Sequence, residues 1–320
     1  MTTEQKARII EQFEIPKEAE DLLEFFFTEE DRRFIAEFSD GELPVAEINK
    51  AYRDDAFRRG IISKTDETGT AYKLNNFYGF LDVFAVSQTE KLHSLPREKR
   101  RALDAWYFRA YADGLDPDRK KRPTSDKVIT REEMLAFIEK ESRPLYLNYC
   151  DCKSLGGDCG KPTHTCINFE PGINSFKARG LSEPLTKEAA KQVIEDADKA
   201  GLVHTISSHG ICNCCSDCCY LFRGQRERGS VGFWPESAYL ITFDRGKCIG
   251  CGRCLTRCMF GVFERAEAEN GRKGVKADRR YCIGCGLCER TCPAGALKLA
   301  PRPDTFIQIA GKYSDEADVL

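Results

Sequence analysis

Cys248-Ile-Gly-Cys251-Gly-Arg-Cys254-Leu-Thr-Arg-Cys258-Met-Phe-Gly261 returns 34 residues later as Cys282-Ile-Gly-Cys285-Gly-Leu-Cys288-Glu-Arg-Thr-Cys292-Pro-Ala-Gly295. Eight of the fourteen aligned positions are identical, and both stretches follow C-x2-C-x2-C-x3-C. Three sulfurs at such short intervals can wrap a tight loop around one metal centre. The glycines between them allow backbone angles that residues with a Cβ avoid, and let amide N–H groups approach the centre closely.

This double run resembles the bacterial two-cluster ferredoxins. The resemblance implies two 4Fe–4S clusters, with the fourth cysteine of each run crossing to the other cluster. Cluster I would then take Cys248, Cys251, Cys254 and Cys292, and cluster II Cys282, Cys285, Cys288 and Cys258. A tandem pair of zinc ribbons is the competing reading, but zinc sites seldom use a four-cysteine run of this form. Met259 stands where the ferredoxins usually have proline, while Pro293 keeps it. Between the runs, residues 259–281 are longer than in minimal ferredoxins, and Glu264 to Gly274 is expected as an exposed hairpin tip.

All seventeen cysteines fall between Cys150 and Cys292, and the first 149 residues have none. A dense, odd-numbered set in a chain without an export signal is read as metal-binding before disulfide. Nine cysteines lie outside the double run: Cys150, Cys152, Cys159 and Cys166, then Cys212, Cys214, Cys215, Cys218 and Cys219. Ligand chemistry suits a third 4Fe–4S cluster, with structural zinc or redox-active thiols as alternatives. Cys152, Cys212, Cys215 and Cys219 are the preferred ligands. Cys150, Cys159, Cys166, Cys214, Cys218 and His164 are alternatives, although His164, His204 and His209 are each expected as ordinary hydrogen-bonded side chains. A helix from about Lys187 to Ala200, capped by Thr186 and ended by Gly201, joins the two halves of this region. Asn148-Tyr-Cys150-Asp-Cys152, Gly201-Leu-Val-His204 and Ile211-Cys-Asn-Cys-Cys215 together resemble anaerobe 4Fe–4S dicluster-domain proteins. That resemblance implies an electron carrier or an electron-transfer subunit of an oxidoreductase.

The expected fold class is α+β: a helical, winged-helix-like N-terminal domain (1–90), a charged helical connector (91–145), and a Cys-rich helical middle module (146–242). A ferredoxin-like pseudo-twofold βαβ cluster domain (243–300) and a tail (301–320) follow. The N-terminal reading rests on helices at Glu18 to Phe27, Glu29 to Phe38 and Ala51 to Arg59, with a break at Ser39-Asp40-Gly41. An apolar stretch Leu43 to Ile48 and a hairpin around Asp66-Glu67-Thr68-Gly69 complete it. Ala51 to Arg59 could serve as a DNA-recognition helix, which makes an iron–sulfur redox-sensing transcriptional regulator the second functional reading. Asp54 and Asp55 on that helix oppose phosphate contact. Lys99 to Ala112 and a capping box at Thr130 and Glu133 mark two further helices.

From Arg245 to Lys298 there are twelve Lys/Arg against five Asp/Glu, in a chain whose net charge is −2. Such a basic end can dock an acidic protein surface or nucleic acid; a redox-partner protein with an acidic docking surface is expected, and nucleic acid is not. No window approaches the roughly 18 apolar residues of a membrane span. The charged N-terminus lacks a signal core, so a cytoplasmic protein is expected. No Walker A loop, G-x-G-x-x-G or radical-type C-x3-C-x2-C is present. The acidic tail Asp315-Glu-Ala-Asp318 is expected to be mobile.

Overall fold

The structure is a computed structural model that describes residues 1–38, 41–169, 172–267 and 273–313. Helix and strand are mixed, in keeping with α+β. The expected break at Ser39-Asp40, residues 268–272 of the hairpin tip and the acidic tail lie outside the described residues. The chain forms two compact units: Met1–Tyr111 with Tyr146–Gly157 and Glu170–Pro184, and Ala112–Leu145 with Asp158–Phe169 and Leu185–Leu320. Cys150 and Cys152 belong to the first unit, and the other fifteen cysteines to the second.

In the first unit, Thr28 and Asp31 form a reciprocal capping box that starts the helix Glu29–Glu37. Asn49 caps the helix Lys50–Arg59, and Gly60 ends it in the left-handed conformation. Strands Ile62–Lys64 and Ala71–Leu74 then pair antiparallel, with Leu43–Pro44 on the far edge. Two expectations are corrected. Glu18 to Phe27 is not one helix but a short turn at Lys17–Ala19 and a four-residue helix Leu23–Phe26. Ala19, Leu22, Leu23, Phe26 and Phe27 all enter the core, and tertiary burial there overrides a continuous helix. The helix Phe77–Ser87 gave no sequence signal, because seven of its residues are buried and no polar face marks it. Its Phe77, Phe80 and Phe84 meet Phe13 and Phe26 edge-on at ring distances of 4.9 to 5.8 Å.

The second unit holds an antiparallel ladder that includes His164–Asn168, Gly210–Cys214 and Val203–Ile206 in adjacent positions. The middle module is therefore not simply helical: β-branched residues at Val203, Thr205, Ile206 and Ile211 put part of it on strands. The helix Lys187–Lys199, capped by Thr186, buries Ala190, Ile194 and Ala197. The C-terminal part is a repeat in structure as well as in sequence. Strand Tyr239–Phe243, turn Arg245–Lys247, helix Arg253–Arg257 and strand Phe263–Glu267 recur as Lys273–Ala277, Arg279–Tyr281, Leu287–Thr291 and Leu297–Pro301. The first strand of one copy pairs with the last strand of the other: Tyr239–Phe243 with Leu297–Pro301, and Phe263–Glu267 with Lys273–Ala277.

Candidate metal centres

Each copy of the repeat carries its cysteine loop between the turn and the short helix. One cavity is lined by Cys248, Cys251, Cys254 and Cys292, with Phe243, Val275 and Leu297 among its apolar walls. A second is lined by Cys258, Cys282, Cys285 and Cys288, with Ile241, Val262, Phe263 and Leu299. Each cavity thus meets three cysteines from one copy and the last cysteine of the other. Four thiols around an apolar hollow form a donor set that suits a 4Fe–4S cluster. Gly250 and Gly284, at equivalent places, have φ of +68° and +69°. A Cβ at Gly250 would run into the Lys273 carbonyl oxygen, and one at Gly284 into that of Tyr239. The Gly284 N–H points at Cys282 Sγ, 3.4 Å away. Burial pushes the Cys285 thiol up to about 12, and raises Cys254, Cys258 and Cys288 as well. These thiols stay protonated at neutral pH until a cation arrives, so loading must expel their protons.

The two copies sit in different surroundings. Ile249 in the first is exposed, whereas its counterpart Ile283 is buried. Ile283 and Leu287 pack in one apolar cluster with Val128, Val203, Cys214, Cys219, Phe222 and Trp234. Met259 and Phe260, directly after Cys258, enter this covered region. Phe260 meets Phe222 edge-on at 5.0 Å. Met259 Sδ accepts the Ser216 N–H at 3.0 Å and packs with Cys159, Cys215 and Cys218. The exchange of proline for methionine thus falls in the copy whose last loop is covered by the rest of the unit.

Asp198, at the end of the helix Lys187–Lys199, gathers an arginine from each copy. Arg290 and Arg257 both pair with its carboxylate, Arg257 at 3.5 Å. Burial pushes the Asp198 carboxyl up, but His204 and Arg290 beside it hold it below the usual carboxylate range. His204 is buried, with Nδ1 2.6 Å from Asn213 Oδ1, and His209 stands beside the Ser208 hydroxyl. Arg302 anchors the second copy: it donates to the carbonyls of Cys282 (2.5 Å), Phe306 (2.8 Å) and Ser237 (3.1 Å).

The remaining cysteines fall into separate groups. Cys159, Cys215 and Cys218, with Asp217, bring their ligand atoms within 4.8 Å of one another. Cys214 is in hydrogen-bonding reach of Cys212 and Cys219. Cys150, Asp151 and Cys152 form a third close group, in the first unit. Of the preferred ligands, Cys215 therefore stands with Cys159 and Cys218, while Cys212 and Cys219 flank Cys214. Cys166 lies on the strand opened by His164, and the register Ile167↔Ile211 sets it alongside Cys212. Asp217 as a donor escaped the sequence reading; the only signal was its position inside Cys215-Ser-Asp-Cys218. In the first unit, burial and the neighbouring Cys150 raise Asp151 to about 6.

Two of the four cationic side chains on the helix Lys50–Arg59 are held by carboxylates. Arg59 pairs with the buried Asp31 at 2.7 Å and with Asp55 at 2.7 Å, and Arg53 pairs with Asp54 at 2.9 Å. The neighbouring strand Ile62–Lys64 is held by Asn174 and Arg179 of the same unit. This geometry does not favour a phosphate-reading surface.

Residues 247–296 match the family model of a 4Fe-4S dicluster domain. That match supports iron–sulfur electron transfer and the presence of 4Fe–4S clusters. No curated protein and no solved structure compared with the chain matches it. No described helix is long and apolar enough to cross a membrane.

Proposed function

We propose that this protein carries single electrons at low potential through two 4Fe–4S clusters in its C-terminal repeat. Cys248, Cys251, Cys254 and Cys292 would hold one, and Cys282, Cys285, Cys288 and Cys258 the other. The observation that carries this reading is the pair of cavities, each walled by apolar side chains and by four thiols that all fall inside the segment that matches the dicluster domain. When bound, the clusters supply reversible one-electron chemistry, at roughly −400 mV if they behave as low-potential ferredoxin centres do. The chain supplies thiolates, excludes water and directs amide N–H groups at the sulfurs.

The first copy is the natural docking end. Ile249 and Cys251 are exposed there, and Arg245, Lys247 and Arg253 around them are exposed too. A basic rim around an apolar tip suits a cytoplasmic redox enzyme that presents an acidic patch. Anaerobically purified protein should show EPR signals of interacting reduced 4Fe–4S centres during a reductive titration. A chain that stays silent under strong reductant would sink this reading.

A further inference from the structure

Cys159, Cys215 and Cys218 differ in kind from the eight cysteines of the repeat. The thiols of the repeat surround hollows, and among the described residues they form no close ligand group. Those of Cys159, Cys215 and Cys218 gather with an Asp217 carboxylate oxygen inside 4.8 Å. A tetrahedral ion with metal–sulfur bonds of about 2.3 Å places neighbouring sulfurs about 3.8 Å apart. Four thiolates on a cubane bind four different irons and must stand farther apart than that. The spacing here therefore suits one ion. We propose that Cys159, Cys215, Cys218 and Asp217 bind a single divalent cation of zinc's class, a site separate from the iron–sulfur centres.

The surroundings are those of a ligand set held in place. The Cys218 N–H donates to Cys215 Sγ at 3.3 Å, the kind of amide–sulfur contact that orients a metal-bound thiolate. Lys161, two residues after Cys159, fixes its loop by donating to the Ala200 carbonyl at 2.5 Å. Ala197 and Leu202 close the apolar side. Met259 is next to the site, but its sulfur already accepts the Ser216 N–H, which leaves the carboxylate as fourth donor. Three thiolates and one carboxylate oxygen fit the borderline-soft Zn²⁺ better than Cu(I), which selects sulfur alone. Four protein donors make a closed site, and a closed zinc site is structural. The ion pins the Cys159 loop to the Cys215–Cys218 turn, on which Met259 and hence the loop after Cys258 rest.

The test uses the full chain, purified without oxygen, with zinc, iron and acid-labile sulfide counted per chain. About one zinc is expected, together with about eight iron. Cys215→Ser should lose the zinc and keep iron and sulfide. Cys251→Ser should lose about half of the iron and keep the zinc. If Cys215→Ser instead loses about four iron and four sulfide, the site holds a cubane and the proposal falls. Extra iron without sulfide or zinc would overturn it in favour of a mononuclear iron site. Should Cys215→Ser fail to fold, Co²⁺ added to zinc-stripped wild-type chain is the second probe. One equivalent should give sulfur-to-cobalt charge-transfer bands and tetrahedral ligand-field bands, weakened in Asp217→Asn. Absence of those bands overturns the proposal. None of these failures alters the iron count of the repeat, so the electron-transfer reading is judged separately.

Discussion

Ile249 and Ile283 hold the same place in two copies that share eight of fourteen residues, yet one is 67% exposed and the other 2%. The repeat itself is nearly symmetric: the same strand, turn, loop, helix and strand, at the same offset. Its setting is not. Ile283, Leu287 and Phe260 pack into the apolar cluster around Phe222 and Trp234, whereas the loop from Cys248 to Arg253 is largely open. Closely similar local sequence therefore makes two cysteine loops of different access, one open to solvent and one covered.

The comparison is broken most directly by removing one proposed ligand from each copy. Cys251→Ser and Cys285→Ser, at equivalent places, should each lower iron from about eight to about four per chain. Cys251 is exposed and Cys285 half-buried, so the second loss also disturbs packed side chains. Its unfolding midpoint should fall by about 2–4 °C more than that of Cys251→Ser. Equal melting temperatures would mean that the enclosure of the second copy contributes nothing to stability.

A gentler version leaves the ligands alone. Ile283→Ala deletes a fully packed side chain and should cost about 2–4 kcal/mol. Ile249→Ala removes an exposed one and should stay within about 0.5 kcal/mol. Chemical denaturation of the two variants measures the difference. The exposed variant should also slow transfer to an acidic partner protein without changing either potential, and added salt should slow transfer further in wild type and variant alike.

The parts that were legible in the sequence are those fixed by near neighbours. Cysteine spacing, the glycines at 250 and 284, the Thr28, Thr130 and Thr186 caps and the left-handed Gly60 all depend on a few adjacent residues. The parts that were not legible depend on distant ones. Nothing in Cys282 to Gly295 announces that Val203 and Phe222 will cover it. The nine other cysteines lie on strands, a turn and short helices from segments far apart in sequence, so their grouping needs the register of Gly210–Cys214 and the position of Asp158–Gly160. Met259 reads locally as a lost proline. Its partner, Ser216, is 43 residues away.

Asp198 tests whether the two copies are held as one body. Asp198→Asn removes the charge that faces Arg257 and Arg290 and should cost about 2–3 kcal/mol at neutral pH. Its carboxyl lies below the usual range in the folded protein. The stability it gives is thus fully present above the unfolded carboxylate value of about 3.9, and is lost as pH falls through the lower folded value. Wild type and Asp198→Asn should therefore draw closer in stability as pH is lowered toward that value, within the range where the clusters stay intact. A gap that stays unchanged across that range would assign the loss to packing instead of charge.

The smallest expected effect is the sharpest probe of the asymmetry. Arg302 places a partly buried guanidinium on the Cys282 carbonyl, beside one cavity. In sequence, the offset of 34 residues pairs Arg302 with an uncharged residue, Ala268. A fixed positive charge favours the more negative, reduced state of a nearby centre, and does so more strongly where water is excluded. Arg302→Gln should lower the potential of the enclosed centre by on the order of tens of mV, and that of the exposed one by much less. Arg302→Lys, which keeps the charge, should recover most of the difference if position is preserved. EPR-monitored titration resolves the two centres. Equal shifts in both would mean that the arginine acts through the fold as a whole, and the electrostatic distinction between the copies would have to be given up.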